Sequence, residues 1–93
     1  MNNYFHIFAL GNCPYCLEAI SILNHTNNEY VLTMLDRCAP YLDYVKDKYQ
    51  YLTVPIILEC DRETNEMINF IGGCSDLKER FDIVSENEQC QLP

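Results

Sequence analysis

Apolar and polar positions change period along the chain, and each change marks an element. Tyr4 to Ala9 is aromatic and β-branched throughout and apolar on both faces, as a strand covered on two sides is. Leu10-Gly11-Asn12 ends it. Pro14 suits the first turn of a helix, where a missing N–H costs nothing. Cys16, Ile20 and Leu23, with Leu17 alongside, then recur at helical spacing until Asn24-His25-Thr26-Asn27-Asn28. Glu29 to Leu35 predicts a second strand, and Pro40 to Tyr49 a second helix with Tyr41, Tyr44 and Val45 on one face. Val54 to Cys60 and Glu66 to Ile71 read as an antiparallel hairpin across Asp61-Arg62-Glu63-Thr64-Asn65. Ser75 to about Val84 predicts a closing helix, with the Ser75 hydroxyl as its cap and Asp76 at its positive end. The order β-α-β-α-β-β-α predicts an α/β protein with a four-stranded mixed sheet and helices on both faces.

Composition narrows the function. The chain has 93 residues, 48% hydrophobic and 22% charged, which implies one domain over 1–93 with an acidic tail from about 85. A chain this short buries only about 60% of its unfolded surface, so its core is thin. The net charge of −8 argues against nucleic acid and against an anionic membrane surface, since both are bound through Lys and Arg. No apolar run approaches the roughly 18 residues of a membrane span, and the first ten residues lack the basic start of a signal peptide. A cytoplasmic location is expected. The six cysteines are then better read as thiols than as a disulfide scaffold.

Two of the six are singled out by position. Cys13-Pro14-Tyr15-Cys16 falls where the first strand gives way to the first helix. Free N–H groups and the dipole at a helix start favour thiolate over thiol, and such sites lower a cysteine pKa from about 8.5 to between about 3.5 and 7.5. Cys13 is thus the candidate nucleophile. Cys16, one turn further in, is placed to resolve a mixed disulfide formed on Cys13. A zinc site is the competing reading of a CxxC pair, but Cys38, Cys60, Cys74 and Cys90 are 22, 14 and 16 residues apart and form no second pair. Cys38 and Cys60 read as small buried apolar residues, Cys90 as an exposed thiol. His6 and His25 have no visible catalytic partner. Tyr41, Tyr44, Tyr49 and Tyr51 read as core and rim packing.

Three separated motifs resemble the glutaredoxins: Cys13-Pro14-Tyr15-Cys16 the dithiol active site, Thr53-Val54-Pro55 the TVP loop, and Gly72-Gly73-Cys74-Ser75-Asp76-Leu77 the glutathione-binding GGxxDL segment. The resemblance runs from about Tyr4 to about Val84 and implies the thioredoxin fold. It implies a glutathione-linked thiol-disulfide oxidoreductase with no tightly bound cofactor and no metal, glutathione serving as reductant and co-substrate. Tyr15, Thr53, Val54, Pro55, Gly73, Cys74, Ser75 and Asp76 become the glutathione contacts. Pro55 is then cis and faces the cysteines, and Val54 offers its backbone to the substrate as a short ladder. The amides of Cys74 and Ser75 hold the γ-glutamyl carboxylate, and Asp76 the ammonium. Implied partners are glutathionylated or disulfide-containing proteins, a ribonucleotide reductase among them, met by a monomer. Thioredoxin fits less well, since the chain has no Trp before its CxxC. Two alternatives to a glutathione-linked enzyme are a thioredoxin-like reductase fed by a reductase donor and a glutathione-ligated [2Fe–2S] carrier; Pro14 argues against the latter.

The sequence departs from the resemblance in its cations. Leu10, Leu42 and Leu52 stand where relatives carry basic or polar glutathione contacts, and no Lys or Arg precedes Arg37. Activation of Cys13 is left mainly to helix amides, weaker glutathione binding is expected, and protein disulfides gain weight as substrates.

Overall fold

Seven elements follow the predicted order in a computed structural model that describes residues 3–83. They are β1 (Asn3–Ala9), α1 (Pro14–His25), β2 (Tyr30–Met34), α2 (Ala39–Tyr49), β3 (Ile56–Asp61), β4 (Met67–Gly72) and α3 (Cys74–Arg80). The strands form one mixed sheet in the order β2-β1-β3-β4. The apolar β1 lies inside it, parallel to β2 with Ile7 opposite Leu32 and antiparallel to β3 with Ile7 opposite Ile57. β3 and β4 form the expected hairpin, irregular between Ile57 and Leu58 and between Glu59 and Cys60. Its turn is held by Asp61, whose carboxylate accepts from the Thr64 amide at 3.1 Å and the Thr64 hydroxyl at 3.0 Å.

Strand alternation splits the core into two layers. Phe5, Ile7 and Ala9 of β1, with Ile57, face α1 and α3 and pack on Cys16, Ala19, Ile22, Leu23 and Leu77. Phe8, Ile56, Leu58 and Cys60 point the other way, toward Leu35 just after β2 and Val45 of α2. Helices therefore cover both faces. Ile7, Leu23, Ile57 and Leu77 are fully buried, each contributing about 1.5–3 kcal/mol by leaving water. His6, half-buried on the Phe8 face of β1, pairs its Nε2 with the Thr33 hydroxyl at 2.7 Å and stacks on Phe8. Burial pushes its pKa down.

Among the described residues Glu59 is the one buried charged side chain. It lies on the α3 face of β3 and accepts from Asn3 at 2.9 Å, Asn69 at 3.1 Å, and Arg80 Nε at 3.3 Å and terminal nitrogen at 3.0 Å. Burial opposes its ionisation, yet these donors and the Arg80 charge outweigh burial and hold its pKa below the ordinary value. Arg80 closes α3, so the pair fixes that helix to the sheet. Lys78 and Glu18, 2.6 Å apart, tie α3 to α1 as well.

Several expectations are corrected. β3 starts at Ile56 and not Val54, because Thr53 to Pro55 form a loop ahead of it. α3 begins at Cys74 and is capped by Gly73, not by the Ser75 hydroxyl; the Asp76 carboxylate reaches back to the Gly73 amide at 2.8 Å. Cys38 is exposed at the start of α2, whereas Cys60 is buried as expected. Leu17 is exposed, and Ala19 and Ile22 take the inward positions of α1. Tyr41 and Tyr44 are exposed and stack on each other at 5.6 Å, leaving Val45 as the fully buried residue of α2, with Leu42 and Tyr49 packed partly buried beside it. The acidic tail with Cys90 lies outside the described residues.

Candidate active site

The chain leaves β1 through Leu10-Gly11-Asn12 and enters α1 at Cys13, which occupies the cap position with extended backbone. Its sulfur does the capping. Sγ accepts from the Cys16 amide at 3.2 Å, using one of the N–H groups that a helix start leaves without a partner. On its other side Sγ lies 3.8 Å from the Val54 carbonyl. The first active-site loop therefore touches the Thr53-Val54-Pro55 loop, and the Val54–Pro55 peptide is cis.

Cys16 is fully buried one turn along. Burial first, then the hydrogen bond to Cys13, push its thiol up to about 12, so it stays protonated, whereas Cys13 is only partly buried. Cys74 is the third sulfur of this corner: it too is buried, and burial together with the Glu18 charge pushes it up to about 11. All five described cysteines are free thiols.

A groove of about 390 Å³ opens beside Cys13, lined by Tyr15, Tyr51, Thr53, Val54, Pro55, Gly73, Cys74 and Ser75. Its floor depends on two glycines. A Cβ on Gly73 would sit 2.9 Å from the Tyr51 hydroxyl, and Gly72 combines φ +112° with an Asp76 oxygen 2.5 Å from where its Cβ would be. The Tyr51 hydroxyl donates to Asp76 Oδ2 at 3.2 Å, and the Gly73 amide donates to the same oxygen. Burial, then this carboxylate, raise the Tyr51 pKa. Among the described residues no three His, Cys, Asp or Glu side chains form a metal-binding group, and no helix is long and apolar enough to cross a membrane.

No protein-family model and no curated protein sequence matches the chain. Solved structures do. Glutaredoxin 1 from Francisella tularensis, crystallised with cacodylate, is 25% identical with a TM-score of 0.67 over 86% of this chain and 93% of its own. The dithiolic glutaredoxin of Trypanosoma brucei brucei is 28% identical with a TM-score of 0.64 over 87% of this chain and 81% of its own. A Schistosoma mansoni thioredoxin, at 15% identity and TM-score 0.59, covers 88% of this chain and 76% of its own, and shares the fold. The fold is that of the glutaredoxins. With a CxxC pair at its first helix, this glutaredoxin-like chain is a thiol-disulfide oxidoreductase.

Seven of the eight glutathione contacts expected from the resemblance lie on one groove of the glutaredoxin-like structure: Tyr15, Thr53, Val54, Pro55, Gly73, Cys74 and Ser75. Asp76 does not line it. Its carboxylate sits behind Gly73 and opens on a neighbouring hollow with Asn69, Ile71 and Arg80. Two participants were not legible in the sequence. Tyr51, read as packing, lines the groove and fixes Asp76; its place two residues before Thr53 was the available signal. Asp36 accepts the Gly11 amide with both carboxylate oxygens at 3.0 Å, bracing the loop before Cys13 from 25 residues away. Leu10 packs against the α2-side core and Leu52 is 84% exposed, so neither supplies charge to the groove.

Proposed function

We propose that the protein reduces protein disulfides and glutathione mixed disulfides through Cys13 and Cys16, with glutathione as the reductant. The observation that carries this reading is the Cys13 sulfur, held by the Cys16 amide and turned toward the carbonyl of Val54, a residue that lines the groove. The Cys13 thiolate attacks one sulfur of the substrate disulfide. That S–S bond breaks, a new one forms to Cys13, and the departing sulfur leaves as a thiolate that takes up a proton. Cys16 then loses its proton, attacks Cys13 and expels the second substrate sulfur; the pair is oxidised by two electrons and the substrate reduced by two. Two glutathione molecules return the pair to dithiols and leave as glutathione disulfide. For a glutathione mixed disulfide, Cys13 alone suffices, because free glutathione attacks the intermediate.

In this reading the Val54 backbone pairs with the substrate strand, and the amides of Cys74 and Ser75 take the γ-glutamyl carboxylate. The ammonium, at the end of the groove next to the hollow that Asp76 opens on, meets the Asp76 oxygen that Gly73 and Tyr51 leave free. The glutaredoxin likeness supports glutathionylated proteins and a ribonucleotide reductase as protein partners of a single-domain, cytoplasmic monomer. The test compares wild type with Cys13→Ser and Cys16→Ser in glutathione-dependent reduction of a small mixed disulfide. Loss in the first with activity kept in the second is expected; activity kept in Cys13→Ser refutes the reading.

A further inference from the structure

The chemistry at Cys13 does not choose among disulfides; the surfaces around it do. The groove at the sulfur is lined by uncharged side chains, with Tyr15 65% exposed at its edge. Across the Leu52–Thr53 peptide lies a second hollow of about 440 Å³, lined by Asp43, Lys46, Asp47, Gln50 and Leu52. Leu52 is 84% exposed between the two. This second hollow carries two carboxylates against one ammonium. The other α2 cation, Lys48, lies over the rings of Tyr44 and Tyr49 at 5.9 and 5.5 Å. On the far flank the loop before Cys13 holds the Asp36 carboxylate, beside Arg37. The whole chain carries −8.

A tripeptide occupies only the first hollow and presents its terminal carboxylate to walls without a cation. A longer chain crosses Leu52, shields that side chain from water and enters the acidic hollow, where a basic residue meets Asp43 and Asp47. Building on the oxidoreductase reading above, we propose that the two hollows form one polypeptide track that selects disulfides carried on chains with basic flanking residues.

Two synthetic peptides with the same intramolecular disulfide, one flanked by two Lys and the other by two Glu, test this. Wild-type protein with glutathione is expected to reduce the Lys peptide with a kcat/KM about tenfold above that of the Glu peptide at low salt. The preference shrinks at high salt, where exposed charges are screened, and falls to near parity in the Asp43→Asn, Asp47→Asn double variant. Equal rates at low salt, a preference for the Glu peptide, or an unaltered preference in the double variant overturn the proposal. Failure on both peptides while hydroxyethyl disulfide is still reduced also overturns it and leaves the oxidoreductase reading standing. Failure on hydroxyethyl disulfide as well removes that reading.

Discussion

Removing the Arg80 guanidinium tests how α3, and with it one wall of the groove, is held to the sheet. Glu59 is 2% exposed and Arg80 supplies two of its four hydrogen bonds, at 3.0 and 3.3 Å. Stripping one partner from a buried pair costs about 3–5 kcal/mol. The Arg80 side chain is 44% exposed, so water enters its place, and Asn3 and Asn69 still donate. Discounted for that screening, Arg80→Ala is expected to cost about 2 kcal/mol at pH 7. At about 4–8 °C per kcal/mol, Tm falls by roughly 8–16 °C. The sign of the pH dependence separates charge from packing. The Glu59 pKa is below its unfolded value, so its stabilisation is fully present above the ordinary carboxylate pKa of about 4.3 and is lost as pH falls through the folded value. Wild type and Arg80→Ala should therefore converge in acid. Urea unfolding followed by circular dichroism at pH 7 and at several acid pH values measures both. A loss below about 0.5 kcal/mol at pH 7 refutes the argument. So does an equal loss in acid, which assigns the cost to Arg80 packing on Phe81, 5.4 Å from its ring centroid.

The groove and the cysteines give three further predictions. Tyr51→Phe removes the bond to Asp76 and is expected to cost about 1 kcal/mol by thermal unfolding, with a raised KM for a glutathione mixed disulfide. Gly73→Ala puts a Cβ 2.9 Å from the Tyr51 hydroxyl and should cost about 1–3 kcal/mol. Its combination with Tyr51→Phe should cost less than the two separately, because the obstructing oxygen is gone. Brief iodoacetamide treatment at pH 7, read by peptide mass spectrometry, should label Cys13 and the exposed Cys38 ahead of Cys16, Cys60 and Cys74, whose thiols burial pushes up.

Signals carried by neighbours in the chain were legible in the sequence. β1 lies inside the sheet with Phe5 and Ile7 on one face and Phe8 on the other, as its doubly apolar pattern requires. Pro14 after Cys13 marked the helix start to the residue. Contacts made across the fold were not legible. Asp36 reaches Gly11 from the end of β2, and nothing in either segment announces it. Ser75 carried the usual capping side chain, yet Gly73 took the cap because Asp76, three residues on, can bond its amide. Tyr41 and Tyr44 fit one helix stripe with Val45, but α2 meets the sheet through Val45, Leu42 and Tyr49 instead. A small domain with a thin second layer leaves such aromatics outside.

That Cys13 attacks and Cys16 resolves is tested most directly by treating the Cys16→Ser variant with glutathione disulfide and mapping the adduct by peptide mass spectrometry. Without a resolving thiol, one glutathionyl group should accumulate on Cys13 and be released by added glutathione. No adduct on Cys13, or an adduct formed first on any other cysteine, contradicts the account.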